Sequence, residues 1–170
     1  MKKAFLIVAL AFISLMAAAQ TPISFEYVIQ KEGATADQIY SSLVDWVATN
    51  FKAVDGEFYH DKDEKVITKD VLMNYESTKL RTICYNGDIR FKLKFQCRDG
   101  RFKMILTNFI HQNNPGNYAG CVLGLITDEE PSDRFAKDIW EDVKTKIEQK
   151  SLNYKSEFES LQIGVTNDDW

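Results

Sequence analysis

Cysteine, histidine and the signature motifs of catalysis are all scarce in this chain. Of 170 residues, three are cysteine and two are histidine. Cys84, Cys97 and Cys121 are odd in number and show no C-x-x-C spacing, which excludes a disulfide framework. They are expected as buried or singly paired thiols, with two free to oxidise if the chain is exported. No G-x-S-x-G elbow is present, and Gly120-x-x-x-Gly124 lacks both the Lys-Ser/Thr ending and the preceding strand of a phosphate loop. Nothing in the sequence pairs His60 or His111 with an activated serine or cysteine. No internal repeat, linker or second apolar run of membrane-spanning length follows the N-terminus.

What is present begins with that N-terminus. MKK is a short basic region, AFLIVALAFISLM an apolar core too short to span a bilayer comfortably, and Ala17-Ala18-Ala19 an A-x-A cleavage site. The pattern predicts a signal peptide over 1–19, with Gln20 as the first mature residue and a periplasmic or secreted product. Residues 20–170 fit a single domain large enough to bury a core without staples. An apolar fraction of 45% argues against disorder. The formal charge of −4 becomes −6 once Lys2 and Lys3 leave with the leader, so nucleic acid is not an expected partner.

Alternation of Ile23, Phe25, Tyr27 and Ile29 with polar neighbours predicts a half-buried strand. Thr35 with Gln38 three residues on predicts a capping box. The helix it starts, 36–51, places Ile39, Leu43, Trp46, Val47 and Phe51 on one stripe. Strands are expected over 56–61 and 65–75, joined by the turn-prone DKDE, with ambiguous facing. Asn86-Gly87 and Asp99-Gly100 read as two-residue type I′ hairpin turns bracketing a strand over 88–98. That strand is expected to pair forward with 101–111 and backward with 79–85. After a loop over 111–120, CVLGLI reads as a short edge strand or buried connection. A helix follows Pro131-Ser132, with Phe135, Ile139, Val143 and Ile147 every four residues. Tyr154, Phe158 and Leu161 continue its apolar face beyond the polar EQKS.

Taking Asp99-Gly100 as the turn fixes a register: Arg98 opposes Arg101, Cys97 Phe102, Phe95 Met104 and Leu93 Leu106. One face then carries Ile89, Phe91, Leu93, Phe95, Cys97, Phe102, Met104, Leu106 and Ile110. The other carries Arg90, Lys92, Lys94, Gln96, Arg98, Arg101 and Lys103. One sheet face needs cover and two amphipathic helices can supply it. The expected class is α+β, a curved antiparallel sheet of five to six strands with both helices on one face.

DQIYSSLVDWVATNF on the first helix, RDGRFKMILTNFIH on the hairpin and a terminal FESL…DDW resemble a family of secreted bacterial domains of unknown function with a TBP-like fold, the saddle of the TATA-binding protein. The resemblance spreads over most of 23–170. Its sharpest piece is the basic-flanked Asp-Gly turn, helped by Tyr40 and Trp46. The chain departs from the family pattern at VITKDVLMNY, where members usually carry a glycine-containing strand. The resemblance implies a fold and an exported location but no activity, so it transfers no catalytic residue.

The basic stripe Arg90, Lys92, Lys94, Arg98, Arg101, Lys103 is the candidate binding surface, suited to lipid phosphates, an acidic glycan or nucleic acid, the last set aside because an exported protein meets little genomic DNA. Its bland counterpart is a solvated strand face whose cations meet Glu57, Asp61, Asp63, Glu64 and Asp70 in exposed pairs worth ~0–1 kcal/mol each. Stacking aromatics on this face are few, with Phe109 the main candidate. His60, Asp61 and Asp63 form an H-D-x-D string without the glycine hinge or distal Glu of a calcium loop, and read as an exposed turn. His111 is placed to cap backbone groups at a strand end. Carboxylates such as Asp128-Glu129-Glu130 and Asp168-Asp169 read as exposed. Trp140 is expected at the border of its helix stripe, and Trp170 at a fraying end. No metal or cofactor is expected. The expected product is an exported, non-enzymatic binding or interaction module of the cell envelope. An envelope protein or an anionic glycan or lipid is the candidate partner, and a hydrolase built on His60 and His111 is the rival of another class.

Overall fold

A capping box starts the first helix as its sequence requires. Thr35 Oγ1 accepts from the Gln38 amide (3.3 Å) and Gln38 Oε1 accepts from the Thr35 amide (2.8 Å). In this computed structural model, residues 20–52, 56–77 and 80–164 are described; the expected leader 1–19 and Trp170 lie outside them. The elements are β1 (Phe25–Gln30), α1 (Ala36–Asn50), β2 (Phe58–Asp61), β3 (Val66–Tyr75), a 3₁₀ segment (Leu80–Tyr85), β4 (Gly87–Arg98), β5 (Arg101–Asn113), β6 (Gly124–Leu125) and α2 (Arg134–Ser160). The antiparallel strands lie in the order β1-β5-β4-β3-β2, with β6 also against β5. Inward side chains of the strands share one core with Ile39, Leu43 and Val47 of α1 and with Ile139, Val143, Ile147 and Phe158 of α2. The helices therefore cover one face of the sheet.

The expected register holds across the hairpin: Arg98 opposes Arg101, Cys97 Phe102, Phe95 Met104 and Leu93 Leu106. It then shifts. Lys92 opposes Thr107 but Arg90 opposes Ile110, so β5 carries an extra residue where β4 has Phe91 alone. Asn108 occupies that bulge with φ +58°, a left-handed conformation asparagine tolerates better than most residues. The bulge inverts the alternation of β5. Phe102, Met104 and Leu106 point inward before it, and Phe109 and His111 point inward after it. Ile110, expected in the core, is instead half-buried beside Arg90 and Leu125. Phe109, expected among the cations, is 1% exposed and stacks on Phe91 at 5.1 Å.

The two Asp/Asn-Gly dipeptides behave differently from expectation. At Asp99-Gly100 only Gly100 takes positive φ (+72°), the sign pattern of a type II turn rather than type I′. The turn docks on the β1–α1 connection. Asp99 Oδ1 accepts from Ala36 N (2.7 Å), and Gly100 N donates to Ala34 O (2.8 Å). At Asn86-Gly87 no hairpin forms. The segment before it is a 3₁₀ turn rather than a strand, and β4 pairs backward with β3. Asn86 organises this junction: its side-chain oxygen accepts from Ser77 N (2.7 Å) and its carbonyl from Asn114 N (2.8 Å). Gly87 lies against β5 so closely that a Cβ would strike the Gln112 carbonyl. A disulfide joins Cys84 of the 3₁₀ segment to Cys121, and the loop of 37 residues it closes contributes about 4 kcal/mol by chain entropy.

In α2 the polar EQKS is no interruption. Asp133 caps the helix by accepting from Ala136 N (2.8 Å), and Ser151 lies fully buried on the apolar stripe. Its hydroxyl donates to Glu148 O (2.7 Å) and is hydrogen-bonded to the Tyr27 hydroxyl (3.0 Å), so a small polar residue continues the face. Two other positions depart from expectation. Phe135 is 56% exposed, and Trp140 is buried, donating to Thr127 O (3.2 Å).

The two glycines predict different penalties. Gly87→Ala forces backbone apart in the sheet and should lower stability by about 3 kcal/mol or more, whereas Gly100→Ala meets open space and should cost about 1 kcal/mol for its φ. Urea unfolding of both variants checks this ordering.

Candidate functional site

With both helices on one side, side chains on the opposite face meet no covering element among the described residues. Pairing sets them in rows across the sheet. One row reads Gln30–Arg101–Arg98, the next Val28–Lys103–Gln96–Val66, and the next Glu26–Ile105–Lys94–Thr68–Tyr59. Arg90, Lys92, Lys94, Arg98, Arg101 and Lys103 all fall on this face, exposed or half-buried, as expected. Apolar side chains lie among them: Val28 is 53%, Tyr59 59% and Leu72 44% exposed.

The cations are not equivalent. Lys92 pairs with Asp70 (3.1 Å) and Lys103 with Glu26 (3.0 Å), which is the ordinary cross-strand solution. Among the described residues, Arg98 and Arg101 have no carboxylate within salt-bridge distance, although they sit directly opposite each other. Like charges so placed oppose pairing by roughly 0.2–1 kcal/mol. Both line a cleft of about 460 Å³ with Val28, Gln96, Lys103, Val66 and Glu64. Cys97 also borders the cleft, but its thiol is buried and desolvation pushes it up to about 12, so it is held as the thiol.

Of the acids expected to neutralise the stripe, Asp70 does so. Asp61 instead organises its own turn, accepting from Asp63 N (2.9 Å) and Glu64 N (3.0 Å), and these backbone bonds hold its carboxyl below the usual range. His60 is hydrogen-bonded through Nδ1 to the Tyr40 hydroxyl (2.8 Å). No group of three or more His, Cys, Asp and Glu among the described residues is placed to hold a metal ion.

The structure does not bring His60 and His111 together. His60 aligns through Ile67 with Phe95 of β4, and His111 aligns with Ile89, six residues and about 20 Å away along the strand. His111 is fully buried and fully engaged. Leu123 N donates to its Nδ1 (3.2 Å), so Nε2 carries the proton donated to Tyr85 O (2.8 Å). It thus ties β5 to the 3₁₀ segment and to the chain beyond Cys121, capping backbone groups as its place at a strand end suggested.

One buried charge escaped the sequence pattern. Lys69 is 2% exposed because the alternation of β3 sends Ile67, Lys69 and Val71 inward. Its stem lies in the core while Nζ reaches the sheet edge, donating to Gly56 O (2.7 Å) beside the Phe51 ring (6.0 Å). The signal was available in the period-2 pattern, had charge not been taken to mean exposure.

A curved antiparallel sheet with two helices on one face and the other face open is the TBP-like architecture. Two solved structures share it. One is a TBP-like protein from Parabacteroides distasonis, at 12% identity and a TM-score of 0.59, over 83% of this chain and 95% of that one. The other is a DUF4468 family protein from Bacteroides ovatus, at 12% identity and 0.53, over 85% and 90%. At that identity the likeness concerns the fold. The model of a domain of unknown function with TBP-like fold (DUF4468) matches residues 25–112, and the chain belongs to that family. No curated protein matches.

His111 makes a pH prediction. Burial lowers its pKa from the ordinary value. The unfolded chain therefore binds the proton more readily, so stability is complete above about pH 6.5 and falls as pH drops below it toward the depressed folded value. Urea midpoints measured from pH 8 to 5 should decline over that window, and His111→Gln should flatten the decline while lowering stability throughout.

Proposed function

We propose that the protein is an exported, non-catalytic binding module of the cell envelope, with the open sheet face as its contact surface. The observation that carries this is the uncovered face itself. On it Val28, Leu72 and Tyr59 stand exposed among the cations, and two opposed arginines line a cleft. The basic-aromatic-aliphatic mixture suits anionic envelope material, a glycan or lipid, or an envelope protein bearing such groups. Export is supported by the leader-like pattern of 1–19 and by the Cys84–Cys121 disulfide, a bond that persists in oxidising compartments. No helix among the described residues is long and apolar enough to cross a membrane.

A photo-crosslinking residue placed at Ile105 or Tyr59 on the open face, and at exposed Glu141 on α2 as a control, tests this in cells. The expected result is a discrete adduct with an envelope component from the first two positions and none from the third, on a protein whose N-terminus is Gln20. Adducts absent from the sheet face, or equally abundant from Glu141, would overturn the assignment of the surface. An intact leader on the recovered chain would overturn the export step.

A further inference from the structure

We propose that the cleft at the β4–β5 turn is a phosphate-monoester site, with Arg98 and Arg101 as its clamp. This rests on the open sheet face being the binding surface and names the chemistry of one end of it. Three features of the cleft converge. Arg98 and Arg101 are direct cross-strand neighbours, so their side chains leave one face of a hairpin end from adjacent positions. That end cannot splay, because Gly100 O accepts from Lys31 N (2.8 Å), Gly100 N donates to Ala34 O (2.8 Å) and Asp99 holds Ala36 N (2.7 Å). Second, among the described residues Arg90, Lys94, Arg98 and Arg101 of this face have no carboxylate within salt-bridge reach, and of these four it is Arg98 and Arg101 that line the cleft. Third, both side chains border one cavity of about 460 Å³, a volume suited to a small phosphorylated headgroup.

The ligand class follows from donor geometry. Two adjacent guanidiniums carry two positive charges, of which a carboxylate neutralises one. A terminal phosphate offers three oxygens and close to two negative charges near neutral pH, matching two arginines and relieving their mutual repulsion. Lys103 remains on Glu26 and adds long-range attraction. Gln96 offers a neutral hydrogen-bonding side chain on the cleft wall, and Val28 and Val66 offer apolar contact to the carbon bearing the phosphate. Glu64 lines the same cleft and opposes an anion, so it sets an upper limit on affinity.

Titration of the purified protein with glycerol 1-phosphate (a lipid-type source), glucose 1-phosphate (a glycan-type source) and sodium acetate tests the site. The readouts are calorimetry and the Nε–Hε signals of Arg98 and Arg101. Saturable binding of either phosphomonoester, with both arginine signals shifted and acetate at least about tenfold weaker, is the expected result. The stronger of the two monoesters identifies the source. Glu64→Gln should tighten binding several-fold. Arg98→Glu should abolish binding yet unfold at the same or a higher urea concentration, because it converts an opposed like pair into an opposite one. The site is overturned if no phosphomonoester saturates, if acetate competes equally, or if Arg98→Glu binds as well as wild type. Crosslinks from Ile105 and Tyr59 persisting in Arg98→Glu would separate the two failures: the clamp would fall while the open face stood.

Discussion

The pairing of β4 with β5 governs the rest of the molecule. Twelve residues of one strand and thirteen of the other run antiparallel through the middle of the sheet, with partners on both flanks. Because strand side chains alternate, this register decides at one stroke which residues the helices cover and which they leave bare. Phe91, Leu93, Phe95, Phe102, Met104 and Leu106, each burying an apolar side chain worth about 1.5–3 kcal/mol, hold the register against slippage. A slip by one residue would drive the lysines and arginines into the core, at several kcal/mol for each unpaired charge.

Two local devices modify that rule without breaking it. The bulge at Asn108 inverts the alternation of β5, which brings Phe109 into an aromatic cluster with Phe25 and Phe91 and sends His111 into a buried hydrogen-bonding site. At the far end, the Asp99-Gly100 turn is fastened to the start of α1. Near it, Lys65 of the β2–β3 turn pairs with Asp37 (2.6 Å) on that helix. One end of the sheet is thus held by hydrogen bonds and an ion pair, and the other by His111, Asn86 and the Cys84–Cys121 bond. The open face lies between two pinned ends, which fixes the backbone from which its side chains project.

Much of this was legible in the residues. The capping box, the first helix, the hairpin register and the outward cations follow from spacing alone, because each is specified within a few residues of chain. Other features depend on distant partners. Nothing local marks Asn108 as a bulge, and an Asn-Gly at 86–87 looks like a turn until the packing of Gly87 on Gln112 shows that close approach, rather than φ, selects the glycine. Ser151 interrupts the apolar stripe of α2 in sequence but meets Tyr27 in space. Pairing of two cysteines out of three required the folded loop. At the candidate site, the basic stripe was visible, but which of its cations meet acids and which line the cleft is a property of neighbouring strands.

One sheet face is sealed by helices while the other is open and cationic. Hydroxyl-radical footprinting of the native protein, read by mass spectrometry against a urea-unfolded control, tests it most directly. Met104 and Phe95 should be protected to near background, and Tyr59 and Leu72 should oxidise at close to unfolded rates. Rapid oxidation of Met104 together with protection of Tyr59 and Leu72 would contradict the facing of the sheet and every functional inference built on it.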